Sequence, residues 1–135
     1  MHIRHEVPDT QTYQNLRIAA GLPPKEHEIA TTALNRSIFT VIVRKDGSEM
    51  IGMGRIVGDG GCYYQLVDVL VHPDYEDLAV KEVVIRELLN YLDQHAPADA
   101  EIIVMADVRN LPIYQNHGFK LVYPEYYGMT RQSVH

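Results

Sequence analysis

The feature that most constrains the fold is a run of branched apolar residues that meets a proline turn and then a helical pattern. The run ends at Val71, Pro73 breaks it, and apolar side chains recur at helical spacing over residues 78–94. A strand that enters a helix through so short a turn directs the first free N–H groups of that helix out of the sheet edge. Proteins commonly hold a phosphate there. The turn itself carries Glu76 and Asp77, whose charge a phosphate would repel, and the functional interpretation depends on that conflict.

Strand and helix patterns alternate along the chain. We predict strands at residues 2–7, 38–44, 50–57, 62–71, 102–105, 119–123 and 126–130. We predict helices at residues 12–20, 25–35, 78–94 and 110–116. Residues 62–71 are apolar on both faces toward their end, which favours a central strand. A strand-helix-strand unit of this length makes residues 62–71 and 102–105 parallel neighbours, so we expect an α/β layered fold with a mixed sheet and a single domain of residues 1–135.

Composition excludes several functional classes. A net charge of −6 without a long basic run argues against a nucleic-acid binder. Cys62 is the only cysteine, and the seven histidines are scattered, so we expect neither a disulfide within the chain nor a metal site. No apolar run reaches the roughly 18 residues of a membrane span, and the first residues lack the apolar core of a secretion signal. We therefore expect a cytoplasmic protein that does not insert into membranes.

The order of the elements, the Val-x-Pro turn at Val71 and the segment Ile113 to Phe119 together resemble the GNAT superfamily of acyl-CoA-dependent N-acetyltransferases. The glycine-rich stretches at residues 52–54 and 58–61 look like those of small bacterial members of that superfamily. The resemblance implies a three-layer fold, in which helices cover both faces of a mixed, mostly antiparallel sheet with a splayed parallel strand pair. It also makes a homodimer plausible, because dimers are common in the superfamily.

The resemblance implies where acetyl-CoA binds. The pantetheine arm of the cofactor would lie along Val69, Leu70 and Val71 and pair with their backbone, in a gap opened by the splay between this strand and residues 102–105. The pyrophosphate would be held by the backbone N–H groups of a loop with the pattern Gln/Arg-x-x-Gly-x-Gly/Ala. That loop here consists of Glu76, Asp77, Leu78, Ala79, Val80 and Lys81.

The loop departs from the family pattern. Glu76 replaces the usual glutamine or arginine, Asp77 stands where glycine is common, and Ala79 and Lys81 replace the two motif glycines. Two carboxylates beside a pyrophosphate weaken binding, and Asp77 could cap the helix in place of the phosphate. Lys81 acts in the opposite direction, since its ammonium can reach a phosphate. We therefore expect weak binding of acetyl-CoA.

Three residues are candidates for the chemistry. Tyr114 matches the family tyrosine that hydrogen-bonds the leaving thiolate, and the alternative is a core tyrosine that packs a short helix. Asp107 stands seven residues earlier, where the family often has an asparagine that touches the cofactor. Asp68 lies in the strand at residues 62–71, where a carboxylate is costly unless partnered; it is a candidate base or a structural hydrogen-bond partner.

The first helix supplies candidates for the acceptor site. Tyr13 and Arg17 lie where the superfamily usually forms one wall of the acceptor cleft. The favoured function is an acyltransferase that moves an acetyl group from acetyl-CoA to a primary amine by direct attack, the acceptor being a small-molecule or protein amine. The alternative is a member of the same fold that acts as a non-catalytic ligand-binding or regulatory module. A purely structural dimerisation protein has no positive feature in its favour.

Overall fold

The computed structural model describes residues 1–47 and 49–133, with only the backbone described for Asp77 and Leu78. The chain divides into two compact units, Met1–Val104 and Met105–His135. The first unit holds a five-stranded sheet in the order β1-β2-β3-β4-β5. Its strands are β1 (His2–Arg4), β2 (Phe39–Arg44), β3 (Met50–Gly58), β4 (Tyr63–Val71) and β5 (Glu101–Val104). Neighbouring strands are antiparallel except for β4 and β5, which are parallel as predicted.

Three helices complete the first unit. They are α1 (Thr10–Ala19), α2 (His27–Asn35) and α3 (Val80–His95), and a 3₁₀ turn, Pro73–Leu78, precedes α3. Asp9 caps α1 by accepting a hydrogen bond of 2.9 Å from the N–H of Thr12, and Glu26 caps α2 in the same way through Ile29. These caps explain why both helices begin where they do, within about two residues of the predicted positions.

The helices lie on opposite faces of the sheet. A Cβ atom at Gly54 would come within 2.7 and 2.8 Å of the side chains of Val84 and Leu88, so this glycine lets α3 approach one face of β3 closely. Met53 points the other way, as the alternation of a strand requires. It belongs to a buried cluster formed by Tyr13, Leu16, Ala30, Leu34, Ile42, Met50, Met53 and Leu70. The first unit therefore has three layers, with α1 and α2 on one face and α3 on the other.

Residues 62–71 lie inside the sheet, as predicted, because β4 has a neighbouring strand on each side. The middle strand is β3, and β4 lies next to it, with β5 as the edge. Helices cover β4 on both faces, which is sufficient to make its sequence apolar on both sides without placing it in the middle. The first strand ends at Arg4, earlier than the predicted Val7.

The second unit contains a 3₁₀ turn, Val108–Asn110, and the short helix α4, Leu111–Gln115. Strands predicted at residues 119–123 and 126–130 were wrong, because residues 119–133 form no strand. The N–H of Tyr126 donates to the carbonyl of Val122 across 2.9 Å, which folds the segment into a turn, and Pro124 has no N–H to give a ladder. An alternating pattern cannot form a strand without a partner for its backbone.

In the described part of the chain, no helix combines the length and the apolar character that crossing a membrane would need.

Candidate active site

The parallel strands β4 and β5 pair over only part of their length. The pairing runs from Tyr63 opposite Glu101 to Leu66 opposite Val104, where β5 ends. β4 continues to Val71 and pairs there with β3 alone. The edge of residues 67–71 that faces away from β3 therefore has no strand beside it within the described residues, and its N–H and C=O groups are available to an extended ligand.

A β-bulge interrupts β4 at the start of this edge. Met53 pairs with Leu70 but Arg55 pairs with Val67, so that Asp68 and Val69 together oppose a single residue of β3. Asp68 has φ 51, in the left-handed region that an aspartate tolerates better than most residues. The bulge removes backbone groups from the regular ladder at the point where the unpaired edge begins.

The side chain of Asp68 is held by three donors. It accepts hydrogen bonds from the hydroxyl of Tyr13 at 2.8 Å, from Nη1 of Arg17 at 3.2 Å and from Nε of Arg55 at 2.9 Å. Burial, followed by the hydrogen bond to Asp68, raises the pKa of Tyr13 above 10. We call these four side chains the Asp68 cluster. It anchors α1 to the sheet.

Sequence reasoning anticipated Tyr13, Arg17 and Asp68 separately but missed Arg55. The available signal was a single charged residue among the apolar and glycine residues 50–58. Such a residue in a buried strand needs an opposite charge nearby, and Asp68 in the neighbouring predicted strand was the available one.

The loop between β4 and α3 ends on a residue in a glycine-like conformation. Ala79 has φ 56 and ψ 24 and forms the junction between the 3₁₀ turn and α3. The resemblance predicted that Ala79 replaces the first glycine of the loop pattern, and a left-handed backbone is a conformation that favours glycine. Because the N-cap of α3 is an alanine, its side chain offers no oxygen to the N–H groups of the first helical turn.

The charged residues Glu76 and Lys81 of this loop differ in exposure. Glu76 is exposed in the 3₁₀ turn, and Lys81 is half-buried in the first turn of α3. The capping role foreseen for the side chain of Asp77 lies outside the described residues, as does the side chain of Leu78.

Within the second unit, Tyr114 lies in α4 and is buried, with 6% of its surface exposed. Its ring contacts Phe119 edge-on, with centroids 5.7 Å apart and planes at 85°. Burial, with a smaller effect of the nearby Asp107 charge, raises the pKa of Tyr114 to about 12. The phenol is therefore neutral and able to donate a hydrogen bond at any physiological pH.

Asp107 has a structural task in the same unit. Its Oδ1 accepts hydrogen bonds from the backbone N–H of Asn110 at 3.3 Å and from the Asn110 side-chain amide at 2.6 Å. These bonds cap the 3₁₀ turn that leads into α4 and so help to position Tyr114.

Comparison with known proteins identifies the family and supports the fold. The model of the acetyltransferase (GNAT) domain matches residues 13–129, and the chain therefore belongs to the GNAT acetyltransferase family. The structure of SA2161 from meticillin-resistant Staphylococcus aureus, described as a probable acetyltransferase of unknown function, has a TM-score of 0.91 and 30% identity, with 98% of each chain covered. Rv2747 of Mycobacterium tuberculosis, solved in complex with CoA and NLQ, has the same fold with a TM-score of 0.70 and 13% identity, over 89% of this chain and 72% of that one.

Among curated proteins, the chain is similar to an uncharacterized N-acetyltransferase, ycf52, of Pyropia yezoensis. The two are 31% identical over 83 residues, which cover 61% of this chain and 47% of the relative. The match to this relative thus spans about half of its length.

Proposed function

We propose that this protein transfers an acetyl group from acetyl-CoA to a primary amine by direct attack. The observation that carries the proposal is the unpaired edge of β4, which begins at the Asp68 bulge and ends at Val71 next to the start of α3. A pantetheine arm contains two amide groups in an extended chain and can pair with such an edge as an added strand. The family of the chain and the CoA complex of Rv2747 support the same substrate.

Each part of acetyl-CoA has proposed partners. Val69, Leu70 and Val71 pair with the pantetheine arm, and the backbone N–H groups at the start of α3 receive the pyrophosphate. The positive end of the α3 dipole favours that anion, whereas the charge of Glu76 opposes it. The residues proposed for the pyrophosphate loop are Glu76, Asp77, Leu78, Ala79, Val80 and Lys81.

The reaction needs few protein groups. The lone pair of a neutral amine attacks the thioester carbonyl carbon, the carbon–sulfur bond breaks, and the amine proton passes to water while the thiolate leaves. The family role carried over to Tyr114 is to donate its hydroxyl hydrogen to the leaving sulfur. A phenol with pKa about 12 stabilises the developing thiolate as a hydrogen-bond donor and does not give up its proton, since a thiol has a pKa of roughly 8.5.

Two roles were predicted for Asp68, general base or structural partner. Its carboxylate already accepts three hydrogen bonds, two of them from guanidinium groups, which would compete with an incoming amine proton. We therefore propose that Asp68 positions Tyr13 and Arg17 at the acceptor wall. For Asp107 we propose two roles: it positions α4, and it makes the contact with the cofactor that the family resemblance predicts.

We further propose that the chain works as a homodimer. Several large apolar side chains of the second unit are exposed in the single chain, and burial against a second copy would remove them from water. They include Met105, Val108, Leu121, Val122 and Met129. Sedimentation equilibrium tests this proposal, and a monomer at all concentrations contradicts it.

The test of the main proposal has two measurements. Isothermal calorimetry with acetyl-CoA should give a dissociation constant between tens of micromolar and millimolar, or about 4 to 6 kcal/mol of binding free energy. A thiol-release assay with a panel of amines should show turnover that depends on the amine. Binding without amine-dependent thiol release would identify a non-catalytic module, and absence of binding would contradict the proposal.

A further inference from the structure

The Asp68 cluster contains more positive than negative charge. Two guanidinium groups, those of Arg17 and Arg55, share the single carboxylate of Asp68, and the side chains of the three residues are only 9%, 12% and 11% exposed. Arginine stays protonated at every physiological pH, so the cluster carries a surplus of one positive charge. Tyr13 is the fourth member of the cluster, and the charges that affect its buried hydroxyl are those of Asp68, Arg17 and Arg55. Among the described residues, Asp68 supplies the one carboxylate that forms ion pairs with these guanidinium groups. A shielded surplus charge is costly, and the cluster therefore attracts an anion.

The hydrogen bonds of the two arginines show where an anion can bind. Arg17 donates from Nε to the carbonyl of Pro23 at 3.0 Å and from Nη1 to Asp68. Arg55 donates from Nε to Asp68 and from Nη1 to the carbonyl of Ala33 at 3.3 Å and the hydroxyl of Ser37 at 3.0 Å. In the part of the chain that the structure describes, these bonds use Nε and Nη1, and the Nη2 group of each arginine remains for a further acceptor. The planar guanidinium suits the oxygens of a carboxylate or a phosphate.

The cluster adjoins the proposed reaction edge. Asp68 is the bulge residue itself, and Val69 to Val71 form the edge proposed for the pantetheine arm. An anionic group held by the arginines would keep the rest of its molecule close to that edge. The amine would then meet the thioester in a fixed orientation and not by random collision. The surplus positive charge also favours the neutral amine over the ammonium ion, and only the neutral amine has a lone pair for attack.

We propose that the acceptor is an amine that also carries an anionic group, a carboxylate or a phosphate, and that Arg17 and Arg55 bind this group. The inference rests on the proposed acetyl transfer and specifies its substrate class. The anionic group contributes mainly to binding of the amine. An acceptor that lacks this group should therefore show a higher KM with a smaller change in kcat.

Matched pairs of acceptors test the proposal. β-Alanine is compared with its amide, and O-phosphoethanolamine with ethanolamine, by thiol release from acetyl-CoA with the wild-type protein. The anionic member of at least one pair should have a kcat/KM at least tenfold higher, and the pair that shows the preference identifies carboxylate or phosphate as the group. Equal values within both pairs would overturn the anionic acceptor and leave acetyl transfer intact, whereas absence of thiol release with every amine would contradict acetyl transfer itself.

Variants assign the preference to the cluster. Arg17→Gln should reduce the ratio within the preferred pair to nearly one, whereas Arg36→Gln, a change of an exposed arginine at the end of α2, should keep the wild-type ratio. Because Arg17→Gln also removes an anchor of α1, the fold of this variant is checked by circular dichroism.

If the variant does not fold, a competition experiment with the wild-type protein tests the proposal in its place. Inorganic phosphate or acetate, matched to the preferred pair, should then raise KM for the anionic amine at least twofold more than for its neutral partner at constant ionic strength. Equal inhibition of both members would contradict the proposal.

Discussion

Leu66 and Val104 are the last paired positions of the parallel strands β4 and β5, and β4 continues beyond them to Val71. The ladder between the two strands runs to the end of β5, which is the shorter strand. The longer strand thus offers a stretch of backbone that is paired on the β3 side only. This asymmetry is the structural basis of the binding mode that we propose for the pantetheine arm.

Hydrogen exchange tests whether acetyl-CoA uses that edge. At saturating acetyl-CoA, the amides of residues 67–71 that point away from β3 should exchange at least tenfold more slowly, because an added strand gives their N–H groups new acceptors. Ile42 of β2, which is fully buried, serves as a control and should be protected equally with and without ligand. The measurement is exchange followed by two-dimensional NMR. Unchanged exchange in residues 67–71, with binding proved by calorimetry, would place the ligand elsewhere.

Tyr114→Phe tests the role of the hydroxyl. If Tyr114 donates to the leaving sulfur, this change should lower kcat by roughly tenfold to a hundredfold and leave the dissociation constant of acetyl-CoA within about twofold, since the charge appears only in the transition state. Steady-state kinetics and calorimetry give the two quantities. Equal losses of binding and rate, or no loss at all, would show that the tyrosine only packs α4.

The raised pKa of Tyr114 also predicts a pH effect on stability. Below pH 10 the phenol is protonated in the folded and the unfolded protein, and between pH 10 and about 12 it ionises first in the unfolded chain. The free energy of unfolding should therefore fall as pH rises from 9 to 11, by about 1 kcal/mol more in wild type than in Tyr114→Phe. Urea unfolding at the two pH values measures the difference. Identical losses in both proteins would contradict the burial of the phenol.

The sequence was sufficient to predict the order of the helices and strands up to α4 and the parallel pair of strands, because each depends on local patterns. It could not reveal the bulge at Asp68, since a bulge arises from the register between two strands and leaves no periodic trace in either. Arg55 was missed for a related reason: its partner is thirteen residues away across that register. The strands predicted for residues 119–123 and 126–130 failed because alternation shows which face could be buried but not whether a neighbouring strand exists.

Ala79→Gly tests the strain in the loop of residues 76–81, which we propose for the pyrophosphate. The left-handed backbone at Ala79 costs an alanine roughly 1 to 2 kcal/mol, and the extra freedom of glycine in the unfolded chain cancels about half of this. We expect the change to stabilise the fold by about 0.5 kcal/mol, measured by urea unfolding. Ala96→Gly is the matched control, because Ala96 ends the same helix with φ −78 and should lose about 0.5 to 1 kcal/mol. Destabilisation by Ala79→Gly would contradict the strained conformation.

Asp68→Asn separates positioning from base catalysis. Asparagine tolerates the left-handed backbone but cannot neutralise two guanidinium groups, so the free energy of unfolding should fall by about 3 kcal/mol. Asp46→Asn removes an exposed carboxylate that contacts the N-terminus at 3.6 Å and should cost less than about 1 kcal/mol. Thermal or urea unfolding gives both values. An unchanged stability together with a large loss of kcat would identify Asp68 as the base instead.

Restoring the family pattern in residues 76–81 is the sharpest test of the expected weak binding. The triple change Glu76→Gln, Asp77→Gly and Lys81→Gly removes two carboxyl groups from the sequence of the loop proposed for the pyrophosphate and returns a motif glycine. If that loop binds the pyrophosphate, the dissociation constant of acetyl-CoA should fall at least fivefold. Lys81 lies in the first turn of α3, so its replacement by glycine should cost about 1 kcal/mol of stability, visible as a small drop in melting temperature.

The competing possibility is that Lys81 itself binds the phosphate. In that case Lys81→Gly alone would loosen acetyl-CoA, and wild type would already bind it strongly, since an ammonium on the first helical turn adds to the favourable dipole end. Glu76→Gln alone separates the two accounts, because it removes one repulsive charge and leaves Lys81 in place. Calorimetry on the wild type, both single variants and the triple variant decides between them. A wild-type dissociation constant below about a micromolar, or an unchanged affinity in the triple variant, would contradict the repulsion that we assign to this loop.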